Sequence, residues 1–249
     1  MLSKNKIKYI QSLKDKKHRL EHGTFVAEGK KIVSDLMESC KCQFVAGLPE
    51  ILEEIGPITA DEIIAATTDE LKKASFLKTA PSVIGVFYQP ENTFSEKQLK
   101  DDLHLVLDGI QDPGNLGTIV RLADWFGIEH IFCSPDTADI YNPKTVQATM
   151  GAIARVKVHY TDLTDFLKKN TGVPVYGTFL EGENIYTAEL PANGFIVMGN
   201  EGNGIRAEIS ELVTRKLFIP NYPAGKTTSE SLNVSVATAV ICSEFRRRI

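Results

Sequence analysis

The chain has 249 residues, 43% of them hydrophobic and 24% charged, with a net charge of −4. This is the profile of a globular protein with one large domain or two small ones. It holds no apolar run of about eighteen residues and no signal-type apolar N-terminus, so no membrane-spanning segment is expected. Cys40 and Cys42 are too close for a C-x-x-C pair and no histidines lie at zinc-finger spacing from them, which predicts a reduced, cytoplasmic protein without a structural metal.

The charge is unevenly spread. Residues 1–31 carry nine Lys/Arg against three acids, and residues 50–70 carry seven acids and no base. The basic end is either a site for a polyanion or a solvated helix face, and charge alone does not choose. Ile7, Ile10, Leu13 and Leu20 lie near helical spacing and predict a helix over residues 3–21. A short strand at 25–29 then enters a second helix through residue 37. Further strands are predicted at 44–46, within 58–68 and at 83–88 (VIGVFY), with a short helix at 68–73. This small α/β unit spans residues 1–89. The polar stretch 90–102, which begins with Pro90, is the linker.

From residue 103 to 249 strand and helix patterns alternate. Strands are predicted at 103–107, 130–133, 156–159, 173–178, 195–198 and 216–219. Helices are predicted at 115–126, 144–154, 163–170, 207–213 and from about 233. That alternation implies a mostly parallel sheet covered on both faces. Three segments run an apolar strand into a loop of small and polar residues: 103–121 (LHLVLDGIQDPGNLGTIVR), 195–205 (FIVMGNEGNGI) and 217–236 (LFIPNYPAGKTTSESLNVSV). Loops at the carboxyl ends of strands in such a sheet line the ligand crevice.

Taken alone, each segment also has an ordinary structural reading. Asn115 is suited to cap the helix that follows it, and Arg121 lies within that helix. The glycines at 199, 202 and 204 permit a tight turn or a close backbone approach to a ligand. They do not form the dinucleotide-binding G-x-G-x-x-G. Gly225-Lys226-Thr227 imitates a phosphate-binding loop, but the required first glycine is replaced by Pro220, which lacks the N–H that such a cradle uses. Ser231 and Asn233 can point into a site while Leu232, Val236 and Val240 pack the last helix.

As an ordered set, N-x-G-x-x-x-R (Asn115, Gly117, Arg121), GNEGNG (199–204) and I-P followed by SLNVSVA (Ile219-Pro220, then 231–237) resemble the three motifs of the SpoU/TrmH class of RNA 2′-O-ribose methyltransferases, in the SPOUT superfamily. FVAEGKKIV (25–33), with the basic helix before it, is similar to the small RNA-binding domain that often precedes the catalytic one. The resemblance implies a small α/β RNA-binding domain followed by a knotted SPOUT parallel-sheet domain. The implied activity is methylation of a ribose 2′-hydroxyl in structured rRNA or tRNA by S-adenosylmethionine, without a metal, in a homodimer. It implies catalytic roles for Asn115, Arg121, Glu201, Ser231 and Asn233. It implies cofactor contacts for Thr178, Leu180, Gly199, Asn200, Gly202, Ile219, Pro220, Ser231, Leu232 and Ala237. The loop 221–230 is longer than the common form and lacks its usual methionine. Arginine stays protonated up to a pKa of about 12, so orientation of ribose and phosphate suits Arg121 better than ordinary base chemistry, though a base role assisted by the substrate phosphate stays open. A non-catalytic RNA-binding protein that keeps the fold is the alternative.

Overall fold

The structure is a computed structural model that describes residues 1–223 and 229–247. By contacts the chain forms two units. One comprises Met1–Glu91 and Asp139–Arg155; the other comprises Asn92–Ala138 and the chain from Val156 onward.

The first unit begins with α1 (Lys4–Ser12), α2 (Lys16–His22), β1 (Thr24–Glu28) and α3 (Lys30–Met37), followed by β2 (Cys42–Gly47) and α4 (Pro49–Glu54). It continues through β3 (Ala60–Ala65), α5 (Thr68–Ala74) and β4 (Val83–Tyr88). The sheet order is β1-β4-β2-β3, parallel between β2 and β3 and antiparallel elsewhere. Ile10, Leu13, Val26, Phe44, Leu71 and Ile84 form its core. The helix expected over 3–21 is instead two helices, and Leu20 is exposed. Arg19 explains the break: it is buried, and its guanidinium donates to the carbonyls of Leu13 (2.8 Å) and Lys14 (2.6 Å) and to Asp139 Oδ2 (2.7 Å). A continuous helix would have used those carbonyls in its own ladder.

The second unit starts with α6 (Glu96–Asp101), inside the stretch expected to be linker. A Ser95/Gln98 capping box forms it, and its Leu99 is buried in this unit's core. Then come β5 (Leu103–Leu107), α7 (Pro113–Trp125) and β6 (His130–Cys133). The chain next makes α8 (Pro143–Thr149), which belongs to the first unit. The helix expected over 144–154 is cut there by Met150 and Gly151, both at positive φ. A side chain at Gly151 would collide with the Asp35 carboxylate. The second unit resumes with β7 (Lys157–Tyr160), α9 (Leu163–Lys169), β8 (Val175–Asn184) and β9 (Gly194–Met198). It ends with α10 (Ala207–Ser210), β10 (Arg215–Phe218) and α11 (Val234–Arg247).

Its six strands are all parallel, in the order β10-β8-β9-β5-β6-β7. Phe132, Phe166 and Phe195 pack with Val106 and Val197 on one face of the sheet, each ring burial worth roughly 1.5–3 kcal/mol. The chain runs outward from β5 to β7, then returns on the other side of β5. The order therefore reverses between β5 and β9, and the loops leaving those strands open a crevice.

Candidate active site

The loops after β5 and β9 are joined at their roots. The Asp108 N–H donates to the Met198 carbonyl (2.9 Å), and the Asn200 side chain donates to the Gly109 carbonyl (2.7 Å). Asn200 Oδ1 also accepts from the N–H groups of Gly202 (2.9 Å) and Asn203 (3.0 Å). A pair of backbone bonds between Asn200 and Gly204 closes the turn. A Cβ at Gly199 would strike the Gly204 and Ile205 backbone, so this turn needs glycine there. Residues 201–204 are left exposed at the crevice.

Asn115 is not the helix cap expected from sequence. Pro113 takes the first helical position, which suits its fixed φ, and Asp112 caps α7 by accepting from the Asn115 N–H (2.9 Å). The Asn115 side chain is thereby released for the site. Its Nδ2 donates to Glu201 Oε1 (2.8 Å), and its Oδ1 accepts from Asn233 Nδ2 (3.1 Å). Asn233 in turn accepts from the N–H (3.0 Å) and hydroxyl (2.6 Å) of Ser235, which caps the start of α11. One line of hydrogen bonds thus joins residues from all three motifs.

Arg121 lies on the same helix, exposed, and its side chain has no hydrogen bond or ion pair among the described residues. Ser231 is exposed. Leu232 and Val236 are about half exposed rather than packed under the last helix. Thr178 donates to the Val197 carbonyl (3.0 Å), and Leu180 projects into solvent. Ile219 and Pro220 follow β10 and are partly buried, and the Ala237 N–H bonds the Asn233 carbonyl in the first turn of α11 (2.9 Å). The decoy Gly225-Lys226-Thr227 lies outside the described residues, as does much of the lengthened loop.

An ion pair that no local sequence pattern reveals lies at the root of the crevice. Asp108, fully buried at the end of β5, accepts from Arg206 at three points: the backbone N–H to Oδ2 (2.8 Å), Nε to Oδ1 (2.6 Å) and the terminal nitrogen to Oδ1 (2.5 Å). The Asp108 bonds hold the Arg206 guanidinium above its ordinary pKa. The only sequence signal was a charge ending an apolar strand, and it named no partner.

An all-parallel sheet whose strand-end loops converge on linked amides, with an uncommitted guanidinium on the adjoining helix, accords with the SPOUT class of methyltransferases, and similarity to known proteins supplies the class itself. The chain belongs to the SpoU rRNA Methylase family, whose model matches residues 102–243, and an MRM3-like substrate binding domain model matches residues 4–85. It is 30% identical to the 23S rRNA (guanosine(2553)-2′-O)-methyltransferase RlmP of Bacillus subtilis (strain 168), over 97% of this chain and 96% of that one. A solved TrmH-family structure from Porphyromonas gingivalis is 39% identical with a TM-score of 0.90, covering 100% of both chains. The AdoMet-bound rRNA methyltransferase of Sinorhizobium meliloti is 26% identical with a TM-score of 0.85, covering 100% of this chain and 97% of that one.

Proposed function

We propose that Asn115, Arg121, Glu201, Ser231 and Asn233 form the site at which this enzyme moves a methyl group from S-adenosylmethionine to a ribose 2′-hydroxyl of RNA. The observation that carries the assignment is the hydrogen-bonded line Glu201–Asn115–Asn233, which ties three distant segments into one cup. The methyl donor is already an activated sulfonium, so the chain has only to align two reactants and manage one proton. Arg121, with uncommitted donors, orients the ribose and its phosphate and offsets charge developing on the 2′-oxygen. The cofactor sits against the turn 199–204, with Thr178, Leu180, Ile219, Pro220, Leu232 and Ala237 around it.

Ribosomal RNA is the proposed substrate, supported by the activity for which the Bacillus relative is named and by the match of residues 4–85 to a substrate-binding domain model. Residues 1–89 are proposed to bind RNA, 90–102 to link, and 103–249 to catalyse. The segment Asp139–Arg155, which packs with the first unit, is the exception to that division. A knotted passage of α11 is proposed from family membership. A homodimer is proposed through α7 and α11, where Trp125 (84% exposed) and Val236 (50% exposed) offer apolar surface. A cytoplasmic setting is supported by four free cysteines. No helix among the described residues is long and apolar enough to cross a membrane.

Mapping ribose methylation in total RNA from cells with and without the gene tests the assignment. One ribosomal 2′-O-methyl mark should vanish with the gene and return with the wild-type chain but not with an Asn115→Ala variant. Calorimetric titration that finds no S-adenosylmethionine binding would favour the non-catalytic RNA-binding reading instead.

A further inference from the structure

The loop 199–205 is anchored at both ends to the same short piece of chain. At its start Asn200 holds the Gly109 carbonyl, and at its end Arg206 grips the Asp108 carboxylate with its side chain and its own backbone N–H. Asp108 is 1% exposed, so its charge has no solvent to fall back on, and Arg206 is the ion-pair partner it has among the described residues. A buried carboxylate that loses such a partner must find water or rearrange. The chain next to Arg206 is the glycine-rich turn itself, whose residues 201–204 are exposed.

We propose that Arg206 is a positioning residue for the cofactor: by clamping Asp108 it holds residues 199–205 in the shape that receives S-adenosylmethionine. The inference rests on the assignment of that turn to the cofactor. The planar guanidinium suits the task because Nε and a terminal nitrogen meet one oxygen while the backbone N–H meets the other. Lysine would supply a single charged point.

The test compares the full-length wild type with Arg206→Ala, Arg206→Lys and Asp108→Asn. Cofactor affinity is read by calorimetry, RNA affinity by filter binding, and turnover at saturating S-adenosylmethionine. A displacement of about 1 Å in a site can cost up to about a hundredfold. Arg206→Ala should therefore raise the cofactor Kd and KM roughly ten- to a hundredfold, while kcat at saturation and RNA affinity stay within about threefold. Arg206→Lys should recover part of that loss, a recovery that a general loss of folding would not produce. Should Arg206→Ala fail to fold, Asp108→Asn carries the same test, because it removes the charge and keeps an acceptor for the backbone N–H. Unchanged cofactor affinity with reduced RNA affinity or kcat would overturn the proposal and place the exposed edge of Arg206 on the RNA. Absence of cofactor binding in the wild type would instead overturn the assignment of the turn.

Discussion

Asn115 and Arg121 sit on one helix, yet their side chains are in opposite conditions. Both ends of the Asn115 amide are engaged, whereas Arg121 has no side-chain partner among the described residues. A group already committed to neighbours shapes a site, while an uncommitted cation is available to a substrate. Arg121→Ala is therefore expected to lower kcat about 10²–10³-fold, as loss of one charge-stabilising donor does elsewhere. Its S-adenosylmethionine affinity should be nearly unchanged. Single-turnover transfer of labelled methyl, alongside cofactor calorimetry, checks this, and parallel losses would move Arg121 into the cofactor pocket. Asn233 is different because it serves two structures at once: its oxygen caps α11 and its nitrogen holds Asn115. Asn233→Ala should lose about 1 kcal/mol of cap energy, a fall of roughly 2–4 °C in Tm. It should also lose activity out of proportion to that fall, because Asn115 is left half-tethered.

At the scale of elements, most strands of the second unit are legible in the sequence, since a strand buried on both faces leaves an unbroken apolar run such as Leu103–Leu107. β8 is the exception, because it runs past Thr178 and Leu180 to Asn184 along a mostly exposed half whose end (EGEN) carries no apolar signal. What escaped were decisions made by distant partners. The first helix breaks because Arg19 needs two carbonyls and a carboxylate 120 residues away, and local periodicity cannot register that. α7 begins two residues before Asn115 because Pro113 and Asp112 start it, so a plausible cap is instead a side chain bonded to Glu201 and Asn233. The Asp108–Arg206 pair spans 98 positions and was invisible for the same reason. The residues of the cup were nameable in advance from motif resemblance, but their hydrogen-bond order was not. Exposure makes a claim of its own on α7 and α11. Trp125 is 84% exposed at the end of α7 and Val236 is half exposed in the first turn of α11, and these are the helices through which a second copy of the chain is proposed to pack. Trp125→Glu should convert a dimer to a monomer in sedimentation velocity while far-ultraviolet dichroism is kept. A wild type that sediments as a monomer at all concentrations would remove the proposed interface.

Two properties belong to the molecule as a whole, and pH exposes the first. His104, His130 and His159 gather on the second sheet with Phe94 and Phe132 around them, and His130 Nδ1 lies 3.0 Å from His159 Nε2. His104 Nδ1 and His130 Nε2 are buried without a hydrogen-bond partner among the described residues. Burial lowers the pKa of all three, that of His159 to about 4 from an ordinary 6.5 with His130 and Lys157 pushing the same way, while Glu129 and Asp102 offset part of the shift at His104 and His130. The unfolded chain therefore binds more protons than the folded one between those values. Stability should be fully present above about pH 6.5 and fall as pH drops from there towards about 4. Glu129, held low chiefly by its Lys157 bond, adds its own loss only below its ordinary 4.5, whereas Glu28, pushed up by burial, works against the histidines just above 4.5, so the fall that begins near pH 6.5 is the histidine signature. Urea midpoints measured between pH 8 and pH 4 should bend near pH 6.5, and a profile flat down to pH 5 would contradict the buried cluster.

The second whole-molecule property is the charge asymmetry, which matters because the net charge of −4 would by itself repel RNA. Lys8, Lys14, Lys16 and Lys17 are exposed on or beside α1 and α2. Lys6 is already paired with Glu62 (2.6 Å), and Arg19 is buried in its carboxylate bond. The residues free to meet phosphates are thus fewer than the raw basic count suggests, and the sequence alone could not separate them. Each phosphate contact releases counterions and adds about 0.7–0.9 to the slope of log affinity against log salt. Replacing Lys14, Lys16 and Lys17 together by Gln should lower that slope by up to about 2–3 and weaken RNA binding at low salt. Affinity for S-adenosylmethionine should be untouched, since none of the three lies in the unit that holds the cup. A triple variant with an unaltered salt slope would mean that RNA is gripped elsewhere, and that this basic end is only a solvated helix face.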